Sequence, residues 1–512
     1  MQFDPHHRNL RAAIGIQSHQ RRVGPIPDQG AGFVCELHAI YKAVKTCGIP
    51  AGKLEVFPQG HRRTFIASVN PVSTTTGDAD TLAPTDSDET SAPEWTGAQK
   101  LAFRLFFTIG GGILILSVYG NLGLSVLMAP LLQGLANLGS FVTRGEGAYL
   151  NINGGADSMA EWCLHLGWIL VALVITAVWT ALDRQRPNYR SLAALLLVFA
   201  RFGLAVSMLL YGLAKLIPTQ MAYMMLPGYQ IQMVGDVTMM NTLWGFMGAS
   251  DPYSMATGLV EFVAGVLLLW RRTWLLGALI AIVAMGQVFL LNLFYDVPVK
   301  LVSGALLFIA VAITTPYWQS LAQTVFQRGT SEPVVLWPAL GSDRRWLRRT
   351  GTVAKFTIAG VVTVLVATFG VVTYQQIRHR ESDIDGVWRA TSFTVEGQQA
   401  TLQQTSPAPW TNVAIADRVG DYTSFVTQVP AGYVTVYQFE IRGDRLEIKK
   451  HESDPPTVLN FRLDGPDRLM LTGTVDGKHI EGDYQRRHMQ RSESHFRLIQ
   501  PETENGPASR LP

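Results

Sequence analysis

Residues 197–218 read LVFARFGLAVSMLLYGLAKLIP, and this stretch sets the class of the whole chain. A bilayer core needs about 20 consecutive apolar residues in a helix, and this segment supplies them. Arg201, Leu204, Met208, Tyr211 and Lys215 recur within it at i, i+3, i+7, i+10 and i+14, so they share one helical face. Two later apolar runs repeat the theme. SMATGLVEFVAGVLLLW, 254–270, carries Glu261 on a face lined by Gly258 and Gly265, and LLNLFYDVPVK, 290–300, sets Asn292 and Asp296 one turn apart before Lys300. Charges at such depth cost several kcal/mol unless they face a bundle interior and find partners. The reading is an apolar bundle with a polar interior site made of Arg201, Lys215, Glu261, Asn292, Asp296 and Lys300. Ion pairs that only pin helices together would use the same residues. The expectation is that Glu261 pairs with a cation of the preceding helix. Arg201 is favoured over Lys215, because a lysine near the helix end can snorkel to water.

Hydrophobic residues make up 48% of the chain and charged ones 16%, and the excess is gathered in blocks. Seven segments meet the span criterion: about 102–124, 162–182, 192–217, 254–270, 274–295, 299–319 and 355–376. The net charge of +3 is small and its Arg residues cluster at helix ends, which excludes a nucleic-acid surface. Three cysteines, Cys35, Cys47 and Cys163, form no CxxC pair and no zinc spacing. His165 reads as a satisfied core histidine. No paired-His haem pattern, Cys cluster or Rossmann fingerprint is present, and the β region offers no nucleophile, base and orienter set, so the sequence leans against catalysis without deciding whether any reaction occurs.

Residues 1–95 mix short apolar pieces with a Ser/Thr/Asp/Pro-rich run and are expected to be disordered. No methionine lies between Met1 and Met128. Initiation at a non-Met codon such as that of Val69 would leave 1–68 untranslated. Lys and Arg concentrate in alternate connections: Arg184, Arg186 and Arg190; Arg271 and Arg272; Arg328, Arg344, Arg345, Arg348 and Arg349. By the positive-inside rule these are cytoplasmic. With seven spans the N-terminus is then inside and everything beyond 376 outside. The connection 218–253 is nearly uncharged and rich in Met and aromatics; it should cap the bundle or lie in the interface.

Beyond Arg380 the texture changes to alternation. Tyr433, Thr435, Tyr437, Phe439 and Ile441 share a strand face, Leu446 and Ile448 follow a turn at Gly443-Asp444, and Asp476-Gly477 signals a primed hairpin turn. Seven to nine strands in 381–502, the last being HFRLIQ, describe a small antiparallel barrel. Its opening, Gly386-Val387-Trp388, resembles that of lipocalins, a family that stacks an arginine over this tryptophan; the resemblance assigns that arginine to Arg497.

The segments ARFGLAVSMLLYGLAKLIPTQM, LWGFMGASDPYSMATGLVEFVAGVLLLWRRTWLLGALI and LNLFYDVPVKLVSGALL resemble the DoxX-like family of bacterial integral membrane proteins, over about 192–320. That resemblance implies a four-helix core at 191–320 within a bacterial inner membrane. Two additional helices fall in 96–190, a basic loop at 321–354, a seventh helix at 355–380, the outer β domain at 381–502 and a flexible tail at 503–512. Relatives are named as subunits of thiosulfate:quinone oxidoreductase and of oxidative-stress membrane complexes. It implies an accessory or anchoring subunit of a redox or quinone-linked system, for which a quinone is the cofactor to look for. The alternative is a non-enzymatic envelope protein whose barrel binds a lipid, an apolar ligand or a protein partner. No catalytic residue carries over from the family.

Overall fold

The computed structural model describes residues 94–147, 149–150, 157–326 and 345–493. The expectations placed on 1–93, on Arg328 and Arg344, and on the HFRLIQ strand with Arg497 lie outside them. Ten helices are labelled here: α1 Gly97–Ile113, α2 Ser125–Ser140, α3 Met159–Leu182, α4 Arg190–Leu216, α5 Met239–Gly248, α6 Asp251–Leu269, α7 Trp274–Phe294, α8 Lys300–Thr314, α9 Trp318–Val325 and α10 Arg345–Arg378.

Among the described residues eight helical stretches are long and apolar enough to cross a membrane, one more than the seven expected. The added one is Leu122–Ser140, so three such helices, not two, precede the core. Its mean hydropathy of 1.4 is the lowest of the eight. Pro130 and the polar Gln133 and Asn137 lower that value. Between α1 and α2 the helix loosens into a π-helix, Leu114–Leu124, and breaks at Gly123, whose φ of 98° only glycine adopts without strain. Both α1 and α2 then run antiparallel to α3. Thr108 of α1 bonds Thr176 at 2.8 Å and its carbonyl accepts from the Trp168 indole, across the middle of α3. Leu135 and Gly139 of α2 meet Gly167 and Cys163 in the N-terminal half.

Helices α4, α6, α7 and α8 close a four-helix ring around Leu204, Met208, Leu268, Met285, Leu306 and Ala310. Glycine decides how closely α4 and α6 approach. A Cβ on Gly258 would lie 2.5 Å from the Leu216 nitrogen, and one on Gly212 would lie 2.6 Å from the Phe262 nitrogen, so the two backbones touch. Such contact at small residues drives helix association where lipid offers no hydrophobic gain. Helix α10 runs parallel to α4, with Lys355 beside Leu269 at one end and Gly370 beside Ile217 at the other.

The Met-rich connection 218–250 forms a cap. Met221, Tyr223, Met224, Leu226, Met240, Leu243, Trp244 and Met247 are buried together with Val297, Ile377 and Ala416. The last of these belongs to the β domain, so the cap is also the floor on which that domain rests.

Strands β1 Gly386–Val395, β2 Gln398–Gln399, β3 Asn412–Ala416, β4 Ser424–Gln428, β5 Val434–Arg442, β6 Arg445–Lys449, β7 Thr457–Leu463, β8 Arg468–Val475 and β9 Lys478–Arg486 pair antiparallel in sequence order. The two-residue β2 is an offshoot of β1. The other eight form an up-and-down barrel closed by β1 against β9, Trp388 opposite Arg486. Phe439 faces Ile448 and Ile441 faces Leu446 across the Gly443-Asp444 turn, as alternation predicts. Asp476 and Gly477 take φ of 52° and 77°, the primed turn. The interior is filled by Trp388, Phe393, Trp410, Phe425, Phe439, Leu459, Leu471, Ile480 and Tyr484. This barrel fits the lipocalin-like expectation, and a closed sheet leaves no edge to pair with another chain.

Candidate functional site

The six residues expected to form one polar site fall into three places. In the first, Lys215 near the end of α4 places Nζ 2.7 and 2.8 Å from the two carboxylate oxygens of Glu261 on α6. Lys215 is 7% exposed and Glu261 3%, so this is a buried ion pair. The Gly212 and Gly258 contact brings the helices near enough for the lysine to reach across. Ser254 donates to the Lys215 carbonyl and ties the same turn.

The second place is the corner between α7 and α8. Asn292 donates to the Ser303 hydroxyl at 3.0 Å, and both are buried. Lys300 binds Asp296 at 2.9 Å, where the aspartate is exposed. Asp157, a residue the sequence reading missed, accepts from the Leu301 backbone N–H at 2.8 Å and from that of Lys300, with the Lys300 ammonium 4.0 Å away. Its carboxylate satisfies the open N–H groups at the start of α8 and complements the helix dipole. It sits 143 residues away in sequence, so no local motif could announce it.

Arg201 occupies the third place and is not the partner of Glu261. The antiparallel packing of Gly265 against Ala205 puts Arg201 level with the α6–α7 turn, at the end of the bundle far from the barrel. Its guanidinium stands 5.8 Å from the Trp274 ring centre. The expected Arg201–Glu261 pair therefore fails, because Arg201 faces the α6–α7 turn rather than the middle of α6.

His165 is held as a core histidine, with Nδ1 2.8 Å from the Glu161 carbonyl and Nε2 2.8 Å from the Ser117 hydroxyl. Cys163 is buried, and its thiol donates to the Glu146 carbonyl. Among the described residues no group of three or more His, Cys, Asp or Glu comes together to hold a metal ion.

A polar cleft lies at the seam between bundle and barrel. It is a cleft of about 920 Å³ that includes Arg380, Asp385, Arg418, Asp467, Arg486 and Arg487 in its wall. Most of these charges are already engaged. Arg418, 8% exposed, forks onto both oxygens of Asp385 and donates from Nε to the Ile377 carbonyl of α10 at 2.8 Å. The Asp417 N–H also donates to Asp385. Arg486 lies 4.2 Å over the Trp388 ring and donates to the carbonyls of Asp385, Asp383 and Pro466. It fills the role the resemblance gave to Arg497. Gly386 makes room for it, since a Cβ there would stand 2.6 Å from an Arg486 nitrogen. Below it, the Tyr484 hydroxyl is buried with no partner among the described residues, and burial pushes its phenol well above the ordinary range.

The seam also has a direct side. Gln428 donates to the Ile231 carbonyl at 2.7 Å, and Val387, Ala414 and Val426 on the barrel's outer face pack against Ile231. No protein family, curated protein or solved structure matches the chain.

Proposed function

We propose that the protein is a DoxX-like accessory or anchoring subunit of a redox or quinone-linked membrane system, holding its barrel on the extracytoplasmic face of a bacterial inner membrane. The observation that carries this reading is the Arg418 fork. One buried side chain joins the barrel, through Asp385, to the last turn of the anchoring helix α10, so the barrel is presented at a fixed height and angle. Rigid presentation serves docking to another subunit better than it serves a tethered carrier.

The polar residues inside the bundle are spent on holding helices, which fits a support role. The barrel interior is occupied by its own side chains, which favours anchoring over carriage of an apolar ligand. Two features support the sidedness. We count α1 and α2, both antiparallel to α3, as one crossing, which leaves seven alternating crossings. The Arg-rich turns then gather at the end opposite the barrel, as the positive-inside rule requires.

The test is to tag the C-terminus, purify the protein from native membranes in mild detergent and identify its companions and extracted quinones. A stoichiometric membrane oxidoreductase subunit, lost when 381–493 is deleted, is expected. A chain that purifies alone and quinone-free from native membranes would contradict the proposal.

A further inference from the structure

At the end of the bundle far from the barrel, cations from three elements converge with no anion beside them among the described residues. Arg201 comes from α4, Arg271 from the α6–α7 turn and Lys355 from α10. Each lies close enough to feel the charge of the other two. Among the described residues none of the three forms an ion pair with a carboxylate. Folding has therefore gathered like charges at the edge of an apolar bundle, which costs free energy unless an anion joins them.

The surroundings describe that anion. Lys355 Nζ is fixed by one bond, 2.6 Å to the Leu269 carbonyl at the C-terminus of α6, and lies 4.6 Å from the Phe356 ring centre. Arg201 lies over the Trp274 face with Tyr317 nearby, and its planar fork of five N–H donors has no hydrogen-bond acceptor among the described residues. A guanidinium fork matches the paired oxygens of a phosphate, and an ammonium adds a point charge. Two aromatic pairs frame the site: Trp270 against Phe356 at 5.2 Å and Trp274 against Tyr317 at 5.3 Å. Such rings sit at headgroup depth in a bilayer. On the bundle surface toward the membrane centre, Val263 and Val266 of α6 and Ile358 and Val361 of α10 are exposed and apolar, a bed for acyl chains.

We infer that Arg201, Arg271 and Lys355 form a phosphate-binding site occupied by the head group of an anionic phospholipid lying against α4, the α6–α7 turn and α10. The site lies far from the barrel seam, and its occupant stabilises the helix end where the cations would otherwise repel.

The experiment uses the full chain in neutral detergent, titrated with phosphatidylglycerol, phosphatidylcholine or glycerol phosphate while thermal unfolding is followed. Phosphatidylglycerol should raise the melting temperature of the unaltered chain and of Arg184→Gln, an exposed arginine at the same end. The Arg201→Gln/Lys355→Gln variant should lose that rise, its half-saturating lipid concentration increasing about fivefold for each cation removed. Without added lipid this variant should melt no lower than the unaltered chain, because repulsion has been relieved. An unchanged phosphatidylglycerol response in the variant, or an equal response to phosphatidylcholine, overturns the site. An equal rise with glycerol phosphate alone overturns the lipid assignment in favour of a soluble phosphate. Should the variant fail to fold, native mass spectrometry of the unaltered chain decides. Preferential retention of phosphatidylglycerol from an equimolar mixture supports the site, and indifference refutes it.

Discussion

Replacing Glu261 by Gln leaves the Lys215 ammonium in the bundle with its charge uncompensated. Both side chains are almost wholly buried, and Nζ contacts both carboxylate oxygens. Breaking a buried pair from one side costs about 3–5 kcal/mol, whereas removing both partners costs less, because the desolvation penalty of the pair disappears with them. Glu261→Gln and Lys215→Met should each fall in that range, and the double variant should lose less than either. Arg201 supplies the control. It lies level with Leu269, eight residues from Glu261 and about 12 Å along α6 at ~1.5 Å per residue, and its guanidinium faces Trp274 instead. A thermal-stability cycle in detergent should show coupling of Glu261 with Lys215 and additivity of Glu261→Gln with Arg201→Met. Additive losses in the Lys215 cycle would refute the pair and leave Glu261 as a proton or ligand group; coupling to Arg201 would refute the packing of α4 on α6.

Three further outcomes follow from other parts of the molecule. Gly258→Leu should separate α4 from α6 at a cost of about 1–3 kcal/mol in detergent melting; an unshifted transition would deny the backbone contact. Tyr484→Phe should leave the barrel as stable or more stable, since an unpartnered buried hydroxyl costs about 1–3 kcal/mol. The folded phenol titrates above its unfolded value, so its contribution is complete below about pH 10 and is lost as pH rises further. The variant should lose less stability than the parent between pH 9 and 11 in Trp fluorescence, and identical curves would contradict the burial argument. Expressed alone, 381–493 should fold with strand-type circular dichroism, because its core is enclosed by its own sheet. Its bared Val387, Ala414 and Val426 should make it self-associate, an effect Val426→Ser reduces in sedimentation; an unfolded product would mean the barrel needs the cap.

Much of the architecture was legible because its signals are local. Span length and hydropathy marked most of the helices, alternation marked the strands, and Asp476-Gly477 could hardly be anything but a primed turn. The density of Met and aromatics in 218–253 pointed to a cap or an interfacial segment, and the burial of Met221, Trp244 and Met247 decides for the cap. What stayed hidden depended on pairing between distant segments. The helix of 122–140 is masked by Pro130 and its polar residues, and becomes credible only once Gly139 and Gly167 are seen packed against α3 and α2. Lys215 was one of two candidates for Glu261, and snorkelling argued against it; the close Gly212–Gly258 contact, invisible in one helix alone, holds the lysine inside instead. Asp157 and Arg418 act across the fold on α8 and α10, far from any motif of their own. The position over Trp388 was foreseen, but its occupant is Arg486, at the end of the strand that closes against β1.

The account rests on a barrel seated on the cap outside the membrane, and one cross-link tests both halves. A Cβ built on Gly228 lies 3.5 Å from that of Val426, within the span of a disulfide. In a background lacking Cys35, Cys47 and Cys163, the Gly228→Cys/Val426→Cys variant should form that disulfide in intact cells without added oxidant, because the extracytoplasmic space is oxidising. Free thiols that close only when an oxidant is supplied to broken cells would contradict the sidedness, and thiols that never close would contradict the docking itself.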